Sequence, residues 1–193
     1  VFFFFLFTVT LLFVTVQDTV YFKNGLMANG LHHYGREALY TDLLAYQLYT
    51  NTLQQPRESS VSGVNNEQQE IKWVAVNADS LNSFRMPRQN GMPRQGFFNN
   101  GYLYLTYIAD KETTVLLNSK GGSSVYVNGA LHTGDPYASG WLYIPIKLKK
   151  GLNEFYIRSG FRTAASLIFP VKPVSVNTED PTLPVVVLQN NNA

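Results

Sequence analysis

From residue 70 onward apolar residues recur at every second position. This two-residue period constrains the chain more than any other feature, because successive side chains of an extended strand point to opposite faces. Ile144, Ile146 and Leu148 alternate with Pro145, Lys147 and Lys149, so one face of that segment is predicted to be buried and the other wet. Phe155 and Ile157 against Glu154, Tyr156 and Arg158 repeat the pattern. Strands are predicted over 71–76, 102–108, 113–117, 124–127, 142–148, 153–158 and 164–169. Gly121-Gly122, Asn128-Gly129, Gly134-Asp135-Pro136 and Lys150-Gly151 separate them. In the second strand Leu103, Leu105 and Tyr107 share one side and Tyr102, Tyr104 and Thr106 the other. The connections are too short for crossover helices, so the expected fold class is mainly β, an antiparallel β-sandwich or jelly roll, not a parallel βαβ sheet.

Before residue 70 the signals are of other kinds. Residues 18–35 carry Asn24-Gly25 and Asn29-Gly30 and are expected to be extended and turn-rich. Over 37–52, Leu39, Leu43 and Tyr46 form one helical stripe and Tyr40, Leu44 and Leu48 an adjacent one, which predicts a single short amphipathic helix. Residues 54–69, with Pro56, Gly63, Ser59-Ser60 and Asn65-Asn66, read as a polar surface loop. Met86-Pro87-Arg88-Gln89 recurs as Met92-Pro93-Arg94-Gln95. That repeat is far shorter than a solenoid period, and reads as a solvated loop or a basic binding loop.

The chain of 193 residues opens on VFFFFLFTVTLLFVTV. That run is shorter than the roughly 20 residues a membrane span needs and matches the roughly 7–15 of an export signal. Residues 1–17 are therefore expected to be a signal peptide truncated at its start, with a buried strand or core helix and an uncleaved anchor as the alternatives. No stable membrane span is expected, and the predicted location is secreted or periplasmic. A net charge of +2 is too small for a dedicated binder of phosphate backbones, so nucleic acid is not an expected partner. Zero cysteines exclude disulfides, thiolate metal sites and cysteine nucleophiles.

Reactive chemistry is sparsely encoded. There is no G-x-S-x-G elbow, and Ser123 sits between strands rather than before a helix. His32 and His33 are adjacent, so in an extended segment they point to opposite sides and cannot chelate one ion together; they read as surface or turn histidines. His132 lies near Asp135, but two ligands do not make a metal site. Glu70, Asp79, Asp110, Glu112, Asp135 and Glu154 show no pairing of the kind glycoside hydrolysis requires, and Asp110-Lys111-Glu112 reads as a charged turn. Gly121-Gly122 lacks the Lys-Ser or Lys-Thr and the helix of a phosphate cradle. Lys147, Lys149, Lys150, Arg158 and Arg162 read as a solvated basic face. No catalytic residue, metal or other cofactor is expected.

Val125-Tyr126-Val127-Asn128-Gly129, then Trp141 to Leu148, then Lys149-Lys150-Gly151-Leu152-Asn153-Glu154-Phe155 resemble the strand and turn succession of galactose-binding-like β-sandwiches. The sugar-binding domain of family 2 glycoside hydrolases is one such domain. Asn128-Gly129, Gly134-Asp135-Pro136-Tyr137 and Leu148 to Asn153 are also similar to the N-terminal module of secreted prolyl-oligopeptidase-like α/β hydrolases. The resemblance implies a jelly-roll module over 18–176, carrying the short N-terminal helix. Residues 177–193, with Asn177 to Pro184, then read as a linker toward a further C-terminal domain. It also implies a non-catalytic accessory or carbohydrate-binding module of a larger exported hydrolase, whose partner is a glycan or the attached hydrolase domain. The alternative is a purely structural sandwich that supports a peptidase or esterase domain without binding a ligand. Expected ligand-binding residues are Trp141, Tyr137 and Tyr143 for stacking, with Asn128 and Asp135 for hydroxyl contacts. The competing role for Trp141 and Tyr143 is to cap the core or to cover an adjoining domain.

Overall fold

The structure, a computed structural model, describes residues 18–33, 41–65, 68–85, 101–170, 174–176 and 186–188. The leading apolar run, the Met-Pro-Arg-Gln repeat and the Asn177–Pro184 stretch lie outside the described residues.

In chain order the strands are β1 (Asp18–Tyr21), β2 (Asn24–Asn29), β3 (His32–His33) and β4 (Thr41–Asp42), then helix α1 (Leu43–Tyr49). β5 (Val61–Val64), β6 (Glu70–Lys72), β7 (Val74–Asn77), β8 (Ser83–Arg85), β9 (Gly101–Ala109), β10 (Thr113–Val127) and β11 (Ala130–Thr133) come next. β12 (Ile144–Leu148), β13 (Gly151–Phe169), β14 (Val174–Val176) and β15 (Val186–Leu188) complete the set. The protein is mainly β and antiparallel, with one short helix.

The two long strands make the architecture. The first half of β10 pairs with β12 and with the second half of β13, while its second half pairs with β11 and with the first half of β13. β13 in turn pairs along its first half with β9 and along its second half with β8 and β1. The register shifts twice between Lys120 and Ser124, where bulges bend the ladder. Both strands thereby belong to two layers of one curled sheet, and β2 and β7 extend the first layer beyond β9. Gly121-Gly122, expected between two strands, lies inside one. Gly121 has φ +81°, and a Cβ there would sit 2.1 Å from the Arg162 carbonyl oxygen. The backbones approach so closely at the bend that only glycine fits. The strands expected over 153–158 and 164–169 are likewise one continuous strand.

The core between the layers joins Leu103, Leu105, Val115, Leu117, Val125, Phe155, Ile157 and Leu167 with Ile144, Ile146 and Leu148 from β12. The alternation of β12 is as predicted, with Lys147 exposed and its neighbours Ile146 and Leu148 buried. In β13 it is not: Tyr156, expected on the wet face, is 4% exposed. The reason is a second core on the outer side of the first layer, where Tyr102, Tyr104 and Tyr156 pack with Trp73, Leu31, Leu44 and Ile71. α1 and the β5–β6 hairpin cover that face, so β9 is buried on both sides from Gly101 to Leu105, while Thr106 and Ile108 farther along are exposed. Each buried phenol has a polar partner, as amphipathic rings require. The Tyr102 hydroxyl donates to Asp42 Oδ2 at 2.6 Å and the Tyr104 hydroxyl to Glu154 Oε1 at 2.7 Å. Burial, reinforced by these carboxylates, pushes the Tyr102 and Tyr104 phenols above their usual range.

The helix is shorter than the stripe suggests, starting at Leu43 because Asp42 caps it: its Oδ1 accepts the Ala45 N–H at 3.0 Å. Leu43, Leu44 and Leu48 reach the outer core and Tyr46 remains exposed; Leu39 and Tyr40 lie outside the described residues. The expected loop over 54–69 contains β5, paired with β6, and Pro56 is buried. The predicted strand over 71–76 breaks at Trp73, whose N–H and carbonyl bond to Ser60 and Ser59 instead of a sheet neighbour. His32, expected at the surface, is 5% exposed, edge-on to the Tyr102 ring and within 3.3 Å of Arg158 Nη2.

Candidate ligand-binding surface

Residues 134–143 join β11 to β12. A Cβ at Gly134 would sit 2.1 Å from the Gly122 carbonyl oxygen, so the loop leaves β11 pressed against the bend of β10. Asp135, 3% exposed, organises the first half of this loop. Its backbone carbonyl accepts the Gly121 N–H at 2.8 Å. Its carboxylate accepts the Ser139 N–H at 3.0 Å, the Ser139 hydroxyl at 2.8 Å and the Gly140 N–H at 2.7 Å. Burial pushes this carboxyl up, but the Gly140 and Ser139 hydrogen bonds, with the Lys120 charge, outweigh burial and hold it below the usual carboxylate range. Asn118 Nδ2 donates to the Leu142 carbonyl at 3.1 Å, tying the far end of the loop to β10.

On this anchored backbone the rings stand outward. Tyr137 is 92% exposed, Trp141 79% and Tyr143 45%. Asp135, Tyr137, Trp141 and Tyr143 thus share one loop, whereas Asn128 does not. It occupies the β10–β11 turn with φ 49°, followed by Gly129 at φ 87°, the two left-handed residues of a tight hairpin. The four residues of β11, about 14 Å at ~3.4 Å per residue, lie between it and the loop. Asn128 Nδ2 donates to Asn153 Oδ1 at 2.9 Å, and its Oδ1 accepts the Glu154 N–H at 3.1 Å. Asn128 and Asp135 therefore direct their side-chain bonds into the protein, leaving the three rings as the outward-facing groups.

Other sequence candidates fall elsewhere. His132 is half-buried, and burial pushes its imidazole below the usual range. No group of three His, Cys, Asp or Glu converges as a metal site among the described residues. Arg162 Nη2 bonds Asp79 at 2.6 Å and Lys147 pairs with Glu112 at 2.7 Å. Asp110 and Lys111 form the turn between β9 and β10, as expected. No helix among the described residues is long and apolar enough to cross a membrane.

A concave feature lies elsewhere, at residues the sequence does not single out. A cleft of about 500 Å³ lies between the end of α1 and β5, lined by Gln47, Gln54, Gln55, Arg57, Ser60 and Ser62, with Leu53 and Val61 as apolar wall. The Gln47 amide is oriented by Nε2, which donates to the Ser62 carbonyl at 2.7 Å. Polar residues in a Pro- and Ser-rich stretch carry no local sign of concavity; only the buried Pro56 hints that the segment is held down.

No protein-family model, no curated protein and no solved structure matches this chain.

Proposed function

We propose that this chain is a non-catalytic recognition module, a galactose-binding-like β-sandwich that presents the 134–143 loop to a glycan as the accessory part of a larger exported hydrolase. The observation that carries the reading is the set of three exposed rings on a loop whose backbone is pinned by a buried carboxylate. Pre-ordering the loop in the free protein lowers the entropy lost on binding, and flat rings suit the apolar faces of a pyranose. In this reading Trp141, Tyr137 and Tyr143 stack, while Asn128 and Asp135 are positioning residues. The Asn128–Asn153 side-chain bond supports the likeness to galactose-binding domains, where an Asn-Gly hairpin and a Gly-x-Asn turn pin neighbouring strands.

A polysaccharide pull-down panel with a Trp141→Ala control tests the proposal. The folded protein is retained on at least one polysaccharide, and the variant, whose melting temperature stays within a few degrees because the ring is exposed, is not. Retention on none refutes glycan recognition. The alternative then stands, a sandwich that supports an attached peptidase or esterase domain, with the same exposed Trp141, Leu142 and Tyr143 as docking residues.

A further inference from the structure

The cleft beside α1 has a chemistry unlike that of the aromatic loop. Its lining holds three glutamines, the hydroxyl residues Thr52, Ser60 and Ser62, and a single charged side chain, Arg57, with no carboxylate. Among the described residues the ion pairs involve Lys72, Arg85, Lys147 and Arg162, not Arg57. The segment that carries this guanidinium is built into the fold. Ser60 Oγ accepts the Arg57 N–H at 3.0 Å and donates to the Arg57 carbonyl at 2.7 Å. Ser59 N–H and Ser60 carbonyl are both bonded to the backbone of the buried Trp73. On the other side, Pro56 is buried and Gln55 Nε2 donates to the Tyr104 hydroxyl at 3.2 Å. That bond fixes the sense of the Gln55 amide and leaves its Oε1 as an acceptor.

We infer that this cleft binds a small acidic sugar, a monosaccharide bearing one carboxylate. A guanidinium with no acid in the lining matches a planar carboxylate through two parallel hydrogen bonds. Glutamine amides both donate and accept, as sugar hydroxyls do, and Leu53 and Val61 offer apolar contact to ring carbons. The volume falls within the range of roughly 300–1,000 Å³ typical of small-molecule sites. The site is independent of the aromatic loop, so either can fail without the other.

The test is an NMR titration of the whole chain with D-galacturonate, D-galactose and acetate at equal concentrations. Galacturonate is expected to shift the Arg57 and Gln55 side-chain resonances. Read at the Gln55 side chain, Arg57→Gln weakens its binding by about tenfold or more, and Arg57→Lys weakens it less. An unaltered melting temperature of the Arg57 variants, which change an exposed side chain, shows that the fold is retained. Galactose or acetate shifting the Gln55 side-chain resonances at as low a concentration, no shift of those resonances at all, or an unchanged affinity in Arg57→Gln would each overturn the inference.

Discussion

Asn153 is a sensitive point of the hairpin framework, and Asn153→Asp isolates why. The side chain is 0% exposed and fully engaged in hydrogen bonds. Its Oδ1 accepts from Lys149 N–H at 2.9 Å and from Asn128 Nδ2 at 2.9 Å; its Nδ2 donates to the carbonyls of Lys149 at 2.8 Å and Gly151 at 2.9 Å. Aspartate keeps the volume, so no cavity contributes. It also keeps both accepted bonds. The two donated bonds are replaced by a carboxylate oxygen facing two carbonyl oxygens. Two lost bonds at about 1 kcal/mol each, with a further ~1–2 kcal/mol for acceptors left facing one another, give a destabilisation of about 3–4 kcal/mol at pH 7. Protonating the new carboxyl restores one donor, so its folded-state pKa is raised above the unfolded value. The penalty is then small below pH ~4 and grows as pH rises through the window between the two values. Urea unfolding followed by the fluorescence of the buried Trp73, on variant and parent at pH 4 and pH 7, measures both quantities. A loss below ~1 kcal/mol at pH 7, or one that does not depend on pH, refutes the assignment of Asn153 as the pin of this turn.

Gly121→Ala should lower the melting temperature more than Gly129→Ala. Both place a side chain at positive φ, at a cost of about 1–2 kcal/mol, but only the first also meets the Arg162 carbonyl, at 2.1 Å, while nothing lies within 4 Å of the second. Equal shifts would show that the close strand approach is not what selects Gly121. Trp73→Phe should cost about 1–2 kcal/mol through the lost Nε1–Ser62 bond and a little packing. Trp73→Ala should cost about 3–5 kcal/mol, read by denaturant unfolding. Asp135→Asn should destabilise the protein by about 1–3 kcal/mol at pH 7, because an amide nitrogen would face the donors that the carboxylate now accepts. The folded carboxyl titrates below its ordinary 3.8, so its contribution is present above about pH 4 and lost as pH falls through the folded value. The gap between variant and parent therefore closes in acid. A gap that widens on acidification would contradict this.

Much of the fold was readable from local pattern because a period of two fixes which side chains share a face. β9 and β12 appear within two residues of their predicted limits, and the split of Leu103 and Leu105 from Tyr102 and Tyr104 holds. What alternation cannot show is whether the second face is covered. Tyr156 read as wet because it alternates with Phe155 and Ile157, yet α1 and β5–β6, far away in sequence, bury it. The site was legible to the same degree. Tyr137, Trp141 and Tyr143 lie together because they are near in sequence, whereas the inward commitment of Asn128 and Asp135 depends on partners that folding brings up.

The sequence alone determined an antiparallel, glycine-cornered β protein with aromatic turns, since backbone sterics and side-chain alternation act over a few residues. Tertiary structure decided that Gly121-Gly122 bends one strand instead of ending it, that a second core forms on the outer face, and that a cleft opens beside Arg57. Each of these rests on contacts between segments remote in the chain, whose geometry no local pattern carries.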